Sequence, residues 1–547
     1  MCALAVLYTV PWYSYFVYHH GAKTYSPGAV LAVVGNVPVE EYVLVVMQTV
    51  FTSLWALMFV HWSTPCLNFN FDKRSYLLIR WVPISLLAAV AAVGYAMTVR
   101  GQETFYLGSI LCWASPAIAL MWYGAGNFFT KKIIPSSIAI AGPTLYMCWV
   151  ERTTVNDSGK FAPEEALFYF IANFMVVLAG SSYDKAYGMI VTYSLDFPHQ
   201  FNVSCRFVRQ MLRAFATSEY ATPSDVTQDI KTSIKVLSTS NAFGTSNYLF
   251  HAGIRLDLII LYAFCRVTDE MFDSKSDEKK KKLKLELSKQ FISEVFSDRK
   301  SDYDVKRIPK EVKIDWKKYE SEFTDFELSS YRALSRIAFF LPRKPFEELF
   351  AGYQWDLELT LVRNEKDLML YTSYVAGSIG AMCLYVIMYR YGNDMNELVD
   401  NADYLTKQAY KIGQGLQLVN IARDLVSDSE SLGRCYFPAE YMDNEKEDLR
   451  ILRQEKNPRS LGNKKLKKYS SKLIQLANKQ QFESVGAIKY LPQDLIGSVL
   501  ASTEMYRGLI KAIQSCPTYP TRASLPKLSK LLIVLNTLYI KSIQYIF

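Results

Sequence analysis

The chain has 547 residues, half of them hydrophobic, with 14% aromatics and 21% charged side chains; that supports two or more domains with sizeable cores and excludes disorder, collagen and low complexity as descriptions of the whole. Five histidines are too few for a histidine-built metal centre, and nine cysteines without a C-x-x-C pair read as scattered, reduced small hydrophobes, not as a secreted disulfide framework. The net charge of +9 is unevenly placed: residues 1–200 hold 10 basic and 10 acidic side chains, and residues 201–547 hold the other 51 and 42. A nearly charge-free neutral part followed by a densely charged basic part is the pattern of a membrane domain joined to a soluble one.

The first part is predicted to contain six apolar helices, at about 1–20, 40–62, 76–98, 103–125, 132–150 and 164–190. Each is long enough to cross about 30 Å of hydrocarbon. The first lacks the basic n-region and small-residue cleavage site of a signal peptide and reads as a retained helix. Arg74, Arg80, Arg100, Lys131, Lys132 and Arg152 flank successive spans on both sides, so they leave orientation open. Pro38-Val-Glu40-Glu41-Tyr42 opens the second run and Pro163-Glu164-Glu165 opens the sixth, 124 residues later, which suggests duplicated modules. One such pair can sit among headgroups at little cost. Two matching pairs point to buried function, because a glutamate in a low-dielectric site has a raised pKa and can act as an acid toward an alkene.

The organisation read from this is a membrane domain at 1–191, a connector at 192–230 carrying Pro198 and Pro223, and a soluble domain at 231–547. The soluble domain is predicted all-α: apolar residues recur at three- and four-residue spacing and no alternating pattern persists. The lysine run at Lys279–Lys284 reads as a solvated surface insertion, or as a patch on anionic headgroups; no stacking or groove-reading motif points to nucleic acid.

Two stretches of the soluble domain carry chemistry. Asp269 and Asp273 stand four apart after an apolar run, so on a helix they share a face. Asn420, Asp424 and Asp428 follow at the same step, with Gln417 about a turn earlier. Either stripe alone is explained by a surface helix. Facing each other, they make a hard-cation site of the kind Mg²⁺ prefers, with water and substrate phosphate completing the shell. Such a pair can clamp a diphosphate as it leaves. Arg255, Arg266, Arg423 and Arg434 are candidate diphosphate donors, since the guanidinium fork fits phosphate oxygens. Tyr248, Tyr262, Phe264, Trp355, Tyr371 and Tyr374 are candidates for lining a carbocation cavity, with ordinary core packing as the alternative.

The stretches LYAFCRVTDEMFD (261–273), AGYQWDLE (351–358), YTSYVAGSIG (371–380) and LQLVNIARDLVSDSESLGRCYFP (416–438) resemble, in order and spacing, the squalene/phytoene synthase family of all-α prenyl synthases. The resemblance covers about residues 235–540 and implies an isoprenoid synthase fold that joins two allylic diphosphates head to head through a cyclopropylcarbinyl diphosphate. It implies that Asp269, Asp273, Asp424 and Asp428, with Asn420, hold Mg²⁺, or Mn²⁺ in its place. It further implies that Tyr371 serves the first half-reaction and that Arg255 and the G-R-x-Y-x-P at 433–438 match family positions.

PWYSY (11–15), NVPVEEY (36–42) and APEEALFYFIANFMVV (162–177) resemble the membrane lycopene cyclase domain that fungi fuse to phytoene synthase. That resemblance runs over about 7–190 and implies that Glu40, Glu41, Glu164 and Glu165 serve a proton-initiated ring closure without net redox. The family usually has Asp and Asn after the tryptophan, where this chain has Tyr13 and Ser14.

Taken together, the two halves resemble the fungal-type bifunctional enzymes. The implied functions are condensation of geranylgeranyl diphosphate to phytoene via prephytoene diphosphate and cyclisation of lycopene ends to γ- or β-carotene, in a multi-pass protein of the endoplasmic reticulum or another internal membrane. Neither FAD nor NAD(P)H is expected for the synthase step, and a separate phytoene desaturase is implied as a functional partner. Two alternatives stay open: a squalene synthase-like enzyme using farnesyl diphosphate, and a phytoene synthase with a non-catalytic membrane domain.

Overall fold

The computed structural model describes residues 2–20, 30–60, 72–98, 104–154, 163–196, 225–239, 249–250, 252–273, 277–297, 314–392 and 395–541. Most of the expected connector, and Tyr248, lie outside the described residues. Two compact units are resolved, Met1–Ser224 and Asp225–Phe547.

Unit 1 holds α1 (Cys2–His20), α2 (Val39–Val60), α3 (Lys73–Met97), α4 (Phe105–Lys131), α5 (Ile133–Thr154) and α6 (Pro163–Asp196). By length and composition α2 to α6 can each cross a membrane. Their outward faces are apolar, with Leu54, Leu86 and Leu145 all exposed, the reverse of a helix bundle dissolved in water. Inside, close packing replaces the hydrophobic effect. A Cβ on Gly94 of α3 or Gly108 of α4 would stand within 3 Å of the facing backbone, so these two helices meet main chain to main chain. Asn173 of α6 pins two further helices: its Oδ1 accepts from Gln48 Nε2 (3.2 Å) and Thr52 Oγ1 (2.7 Å) of α2, and its Nδ2 donates to Thr144 Oγ1 (3.0 Å) of α5.

The all-α expectation needs one small addition. Val33–Val34 and Val37–Pro38 form a two-stranded antiparallel hairpin just before α2. Gly35 and Asn36 take positive φ (55° and 64°) at its turn, the conformation that a two-residue primed turn requires.

Unit 2 is helical throughout its described residues: α7 (Asp225–Thr239), α8 (Ala252–Asp273), α9 (Glu278–Val295), α10 (Asp325–Ile337), α11 (Lys344–Leu357), α12 (Glu365–Thr372), α13 (Ser378–Tyr391), α14 (Ala402–Leu432), α15 (Asn463–Ser484), α16 (Gln493–Ser515) and α17 (Lys527–Asn536), with short helical turns between. The 31-residue α14 is the spine. Its buried Leu418, Val419, Ala422 and Val426 pack into a core with Tyr469, Leu473 and Ile474 of α15. A Cβ on Gly413 would meet the Ala376 carbonyl oxygen at 2.3 Å, and one on Gly380 would meet that of Ala409 at 2.4 Å, so α13 crosses α14 at backbone distance. The stretch Glu365–Tyr391 is also long and apolar enough to cross a membrane, but it carries a π-helical turn at Ser373–Gly377 and half of its apolar window is buried within unit 2, so it packs there as a bulged core helix.

Candidate active sites

Helix α8 presents Asp269 and Asp273, and α14 presents Asn420, Asp424 and Asp428. How they come together depends on the end of α14. Gly433 takes φ +62° and closes a left-handed cap, with its N–H returned to Ser429 O (3.0 Å) and that of Arg434 to Asp428 O (3.2 Å). A side chain there would strike the Arg453 carbonyl. This cap turns Arg434 back across the cleft, where its Nη1 donates to Asp273 Oδ1 at 2.6 Å. Asp428 senses the charges of Asp424, Asp273 and Arg434 together. The two stripes therefore face each other, joined by one guanidinium.

The electrostatics are those of crowded acids. Enclosure by protein, then repulsion from Asp273, pushes Asp269 up to about 7, against the pull of Arg266. Its side chain keeps 43% of its exposure, so it looks into an open cleft while protein mass surrounds it on the other sides. Burial and Asp424 likewise push Asp428 up to about 7. A cation would relieve both. The amide of Asn420 fits the same purpose: its Nδ2 donates to Gln417 Oε1 (3.2 Å), while its buried Oδ1 has no hydrogen-bond partner and is left to accept from a ligand. Among the described residues no three acidic, cysteine or histidine side chains converge into a cage for a metal ion. This donor set suits a hard ion that shares its shell with water and phosphate.

The other expected residues fall into place unevenly. Arg266 pairs with Asp269 (3.1 Å) and Glu270 (2.8 Å). Arg423 holds Asp424 through both nitrogens of its fork, and Arg522 reaches the same carboxylate at 3.1 Å. Arg255 is fully buried and donates Nε and Nη2 to the Phe250 carbonyl (3.0 and 2.7 Å), which anchors the start of α8. Phe264 is fully buried among Phe291, Tyr331, Phe346 and Phe350, so it is core and not cavity lining.

Tyr371 ends α12 beside the π-helical turn. Its hydroxyl donates to Asp356 Oδ2 (3.1 Å), while Tyr436 donates to Asp356 Oδ1 (2.8 Å), and the two rings stack at 4.7 Å. Burial raises Asp356 to about 6, against the pull of Arg434 and of the Tyr436 hydrogen bond. Sequence reasoning missed Asp356, Arg522 and Lys281, and it reached Tyr436 only as part of the G-R-x-Y-x-P, with no role of its own. Asp356 lies inside the matched AGYQWDLE, where its only acidic neighbour, Glu358, is two residues on and not at a helical step, so there was no spacing signal. Lys281 belongs to the lysine run, yet it is half-buried, and burial, then the nearby charge of Arg434, lowers its pKa while Asp273 opposes that.

In unit 1, Tyr13, Glu41, Gln48, Tyr106, Glu165 and Tyr169 line one cavity, drawn from α1, α2, α4 and α6. The two glutamate motifs thus meet, with one member of each on the cavity. Tyr13 donates to Glu41 Oε1 at 3.0 Å, and Ser14 donates to the Gly35 carbonyl of the hairpin. Glu40 instead accepts from the Leu31 N–H (2.7 Å) and ties down the hairpin. Tyr169 bonds Glu151 of α5, a carboxylate the sequence reading passed over.

These features define an all-α isoprenoid synthase unit and, in the same chain, a polytopic membrane unit. The squalene/phytoene synthase family model matches residues 238–531. Over nearly the whole chain, similarity extends to bifunctional lycopene cyclase/phytoene synthases of fungi. The Blakeslea trispora protein is 32% identical over 96% of this chain and 88% of its own length. That of Phycomyces blakesleeanus is 29% identical over 98% and 90%, and that of Neurospora crassa 25% identical over 98% and 94%. The chain belongs to the squalene/phytoene synthase family, in its branch of bifunctional lycopene cyclase/phytoene synthases.

Proposed function

We propose that unit 2 condenses two molecules of geranylgeranyl diphosphate to phytoene and that unit 1 closes β-ionone rings on lycopene. The observation that carries the synthase reading is the pair of facing acidic stripes joined by Arg434 and Asp273. In the first half-reaction the C–O bond of one substrate breaks and its electron pair leaves on diphosphate. The allylic cation is then attacked by the double bond of the second substrate, and loss of a proton closes the cyclopropane of prephytoene diphosphate. A second ionisation, rearrangement and proton loss give phytoene, with no reductant consumed.

Asp269, Asp273, Asn420, Asp424 and Asp428 would hold Mg²⁺, which neutralises charge on the departing diphosphate. Arg266, Arg423, Arg434, Arg522 and Lys281 supply donors to the diphosphate oxygens. Arg255 supports them by fixing the start of α8. Gln417 orients the Asn420 amide so that its oxygen faces the ligand. Tyr371 presents its hydroxyl at the reacting carbons, and Asp356 positions it and holds the proton that the cyclopropane closure releases.

In unit 1, Glu41 and Glu165 act as acid and base at the lycopene end: one proton adds to the terminal double bond, the ring closes, and one proton leaves. Glu40 and Glu164 complete the two motifs, Glu40 by holding the hairpin. The steps between phytoene and lycopene have no candidate site among the described residues, so a separate desaturase supplies the cyclase substrate.

Expression of the whole chain in cells that make geranylgeranyl diphosphate, with and without a phytoene desaturase, tests both halves. Phytoene alone, then cyclic carotenes with the desaturase, is the expected result. Squalene, or a product that requires NADPH, would overturn the synthase reading.

A further inference from the structure

Helix α17 is apolar on both sides. Its inner face packs on α16: Val534 is buried, and the side chains of Ile533 and Leu525 close over Gly508, 2.9 and 3.2 Å from where a Cβ would stand. Its outer face carries Leu528, Leu531, Leu532 and Leu535, which follow the three- and four-residue steps of one helical stripe and are 66%, 52%, 57% and 36% exposed. Ile540, in the π-helical turn that follows, is 60% exposed. Among the other described residues of unit 2 the exposed large apolar side chains are isolated, such as Leu283, Phe326 and Leu359. The outer face of α17 thus resembles the lipid-facing helices of unit 1 and not its own surroundings.

Charge identifies what covers it. Residues 516–547 contain Arg522, Lys527, Lys530 and Lys541 and no acidic residue; Arg522 pairs with Asp424 and Lys541 with Glu504, so the charge that bears on a surface is that of the two lysines at the helix start. Lys527 and Lys530 stand at the start of the helix, beside Leu528 and Leu531. A leucine stripe flanked by lysines is the composition of a helix that lies in the headgroup region of an anionic bilayer, apolar side down and ammonium groups among the phosphates. The chain already spans a bilayer through unit 1, so such a surface is always at hand. Arg522, five residues before α17, touches Asp424.

We propose that α17 is a membrane-docking helix that seats the synthase unit on an anionic lipid surface. Docking brings the mouth of the Asp424 stripe to the bilayer in which a C20 chain is dissolved. Docking itself needs only the leucines and lysines; its kinetic consequence rests on the synthase reading above.

The test uses the full chain in nanodiscs, with an environment-sensitive fluorescent amino acid incorporated genetically at position 532, or at the exposed Lys344 of α11 as a control away from the helix. Nitroxide-bearing phosphatidylcholine is the quencher. The expected result is quenching at 532 several-fold stronger than at 344, stronger still when the discs contain phosphatidylserine, and reduced to the control level by the pair Leu528→Lys and Leu531→Lys. Both substituted positions face outward, so the fold is retained and turnover of detergent-dispersed substrate stays unchanged. Equal quenching at 532 and 344 would overturn the proposal. So would a blue-shifted but unquenched fluorophore at 532, which would mean that protein, a second copy or another segment, covers the stripe. Quenching is read without turnover, so a failed docking and a failed synthase assignment give different results.

Discussion

Arg434 and Asp273 are 161 residues apart and meet at 2.6 Å, and that single contact draws the two acidic stripes of the synthase unit into one site. The contact depends on the left-handed cap at Gly433, which turns the chain at the end of α14. Arg434→Lys keeps the charge and loses the fork, so it can no longer bond Asp273 and phosphate at once. A charge-assisted hydrogen bond contributes about 1.5–3 kcal/mol, or roughly 10- to 150-fold. That loss is expected in kcat/KM for geranylgeranyl diphosphate in steady-state assays. An unchanged kcat/KM would remove Arg434 from the diphosphate clamp.

Asp269→Ala and Asp424→Ala are each expected to abolish phytoene formation in a folded protein, because each removes one acid from a facing stripe. Asp424→Ala also strands Arg423 and Arg522, which both bond that carboxylate. Chelation should silence the wild-type enzyme and added Mg²⁺ restore it. Product analysis by chromatography decides the matter, and wild-type turnover in either variant would sink the two-stripe site.

Asp356 acts through the two tyrosines it holds, so Asp356→Asn should lower kcat at least tenfold, while KM, set by the diphosphate donors, stays nearly constant. Asp356→Glu, which keeps the charge, should recover part of the loss. A merely structural aspartate would instead lower the melting temperature in step with activity, and that pattern would refute the positioning role.

The raised pKa values of Asp269 and Asp428 make a further prediction about stability. Both move from the ordinary carboxylate range to about 7 on folding, so the folded metal-free protein holds more protons than the unfolded chain between about pH 4 and pH 7. Their contribution therefore weakens as pH rises through that window. Mg²⁺ binds the ionised forms, so its stabilising effect should be small near pH 5 and large near pH 8. Melting followed by fluorescence with chelator or with Mg²⁺ reads this directly. A metal effect independent of pH would contradict the assignment of these acids as ligands.

Helical repetition made much of this legible in the sequence. A four-residue step puts carboxylates on one face whatever the tertiary structure, so Asp269/Asp273 and Asn420/Asp424/Asp428 could be paired before any fold was known. Charge segregation likewise distinguished a nearly charge-free first part from a densely charged second part. What stayed hidden depends on contacts between distant segments. Nothing near Asp356 marks it as the acceptor for Tyr371 and Tyr436, and nothing in a run of lysines singles out Lys281 as the one beside Arg434. The hairpin at residues 33–38 is only two residues per strand, too short to give an alternating pattern. Phe264 sits in the first acidic motif yet faces away from the cleft, because neighbours on a helix point in different directions.

The membrane unit gives the last prediction. Glu41 and Glu165 line the shared cavity, whereas Glu40 bonds the Leu31 N–H. The four glutamates should therefore not be equivalent. Glu41→Gln and Glu165→Gln keep the shape and much of the hydrogen bonding but cannot deliver a proton, so each should cause lycopene to accumulate in membranes supplied with it. Glu40→Gln still offers an oxygen to the Leu31 N–H and should retain most cyclisation. Tyr13 stands where the family usually has an aspartate, and its hydroxyl donates to Glu41. Tyr13→Phe removes that donor and frees the carboxylate to turn, so it should slow cyclisation by roughly tenfold, the value of one hydrogen bond to a charged group. Phytoene synthesis should stay near the wild-type rate in all of these variants, since none touches the acidic stripes of unit 2. Separation of lycopene from its monocyclic and bicyclic products by chromatography scores each case, and equal cyclisation in Glu41→Gln, Glu165→Gln and the wild type would rule out the acid–base pair.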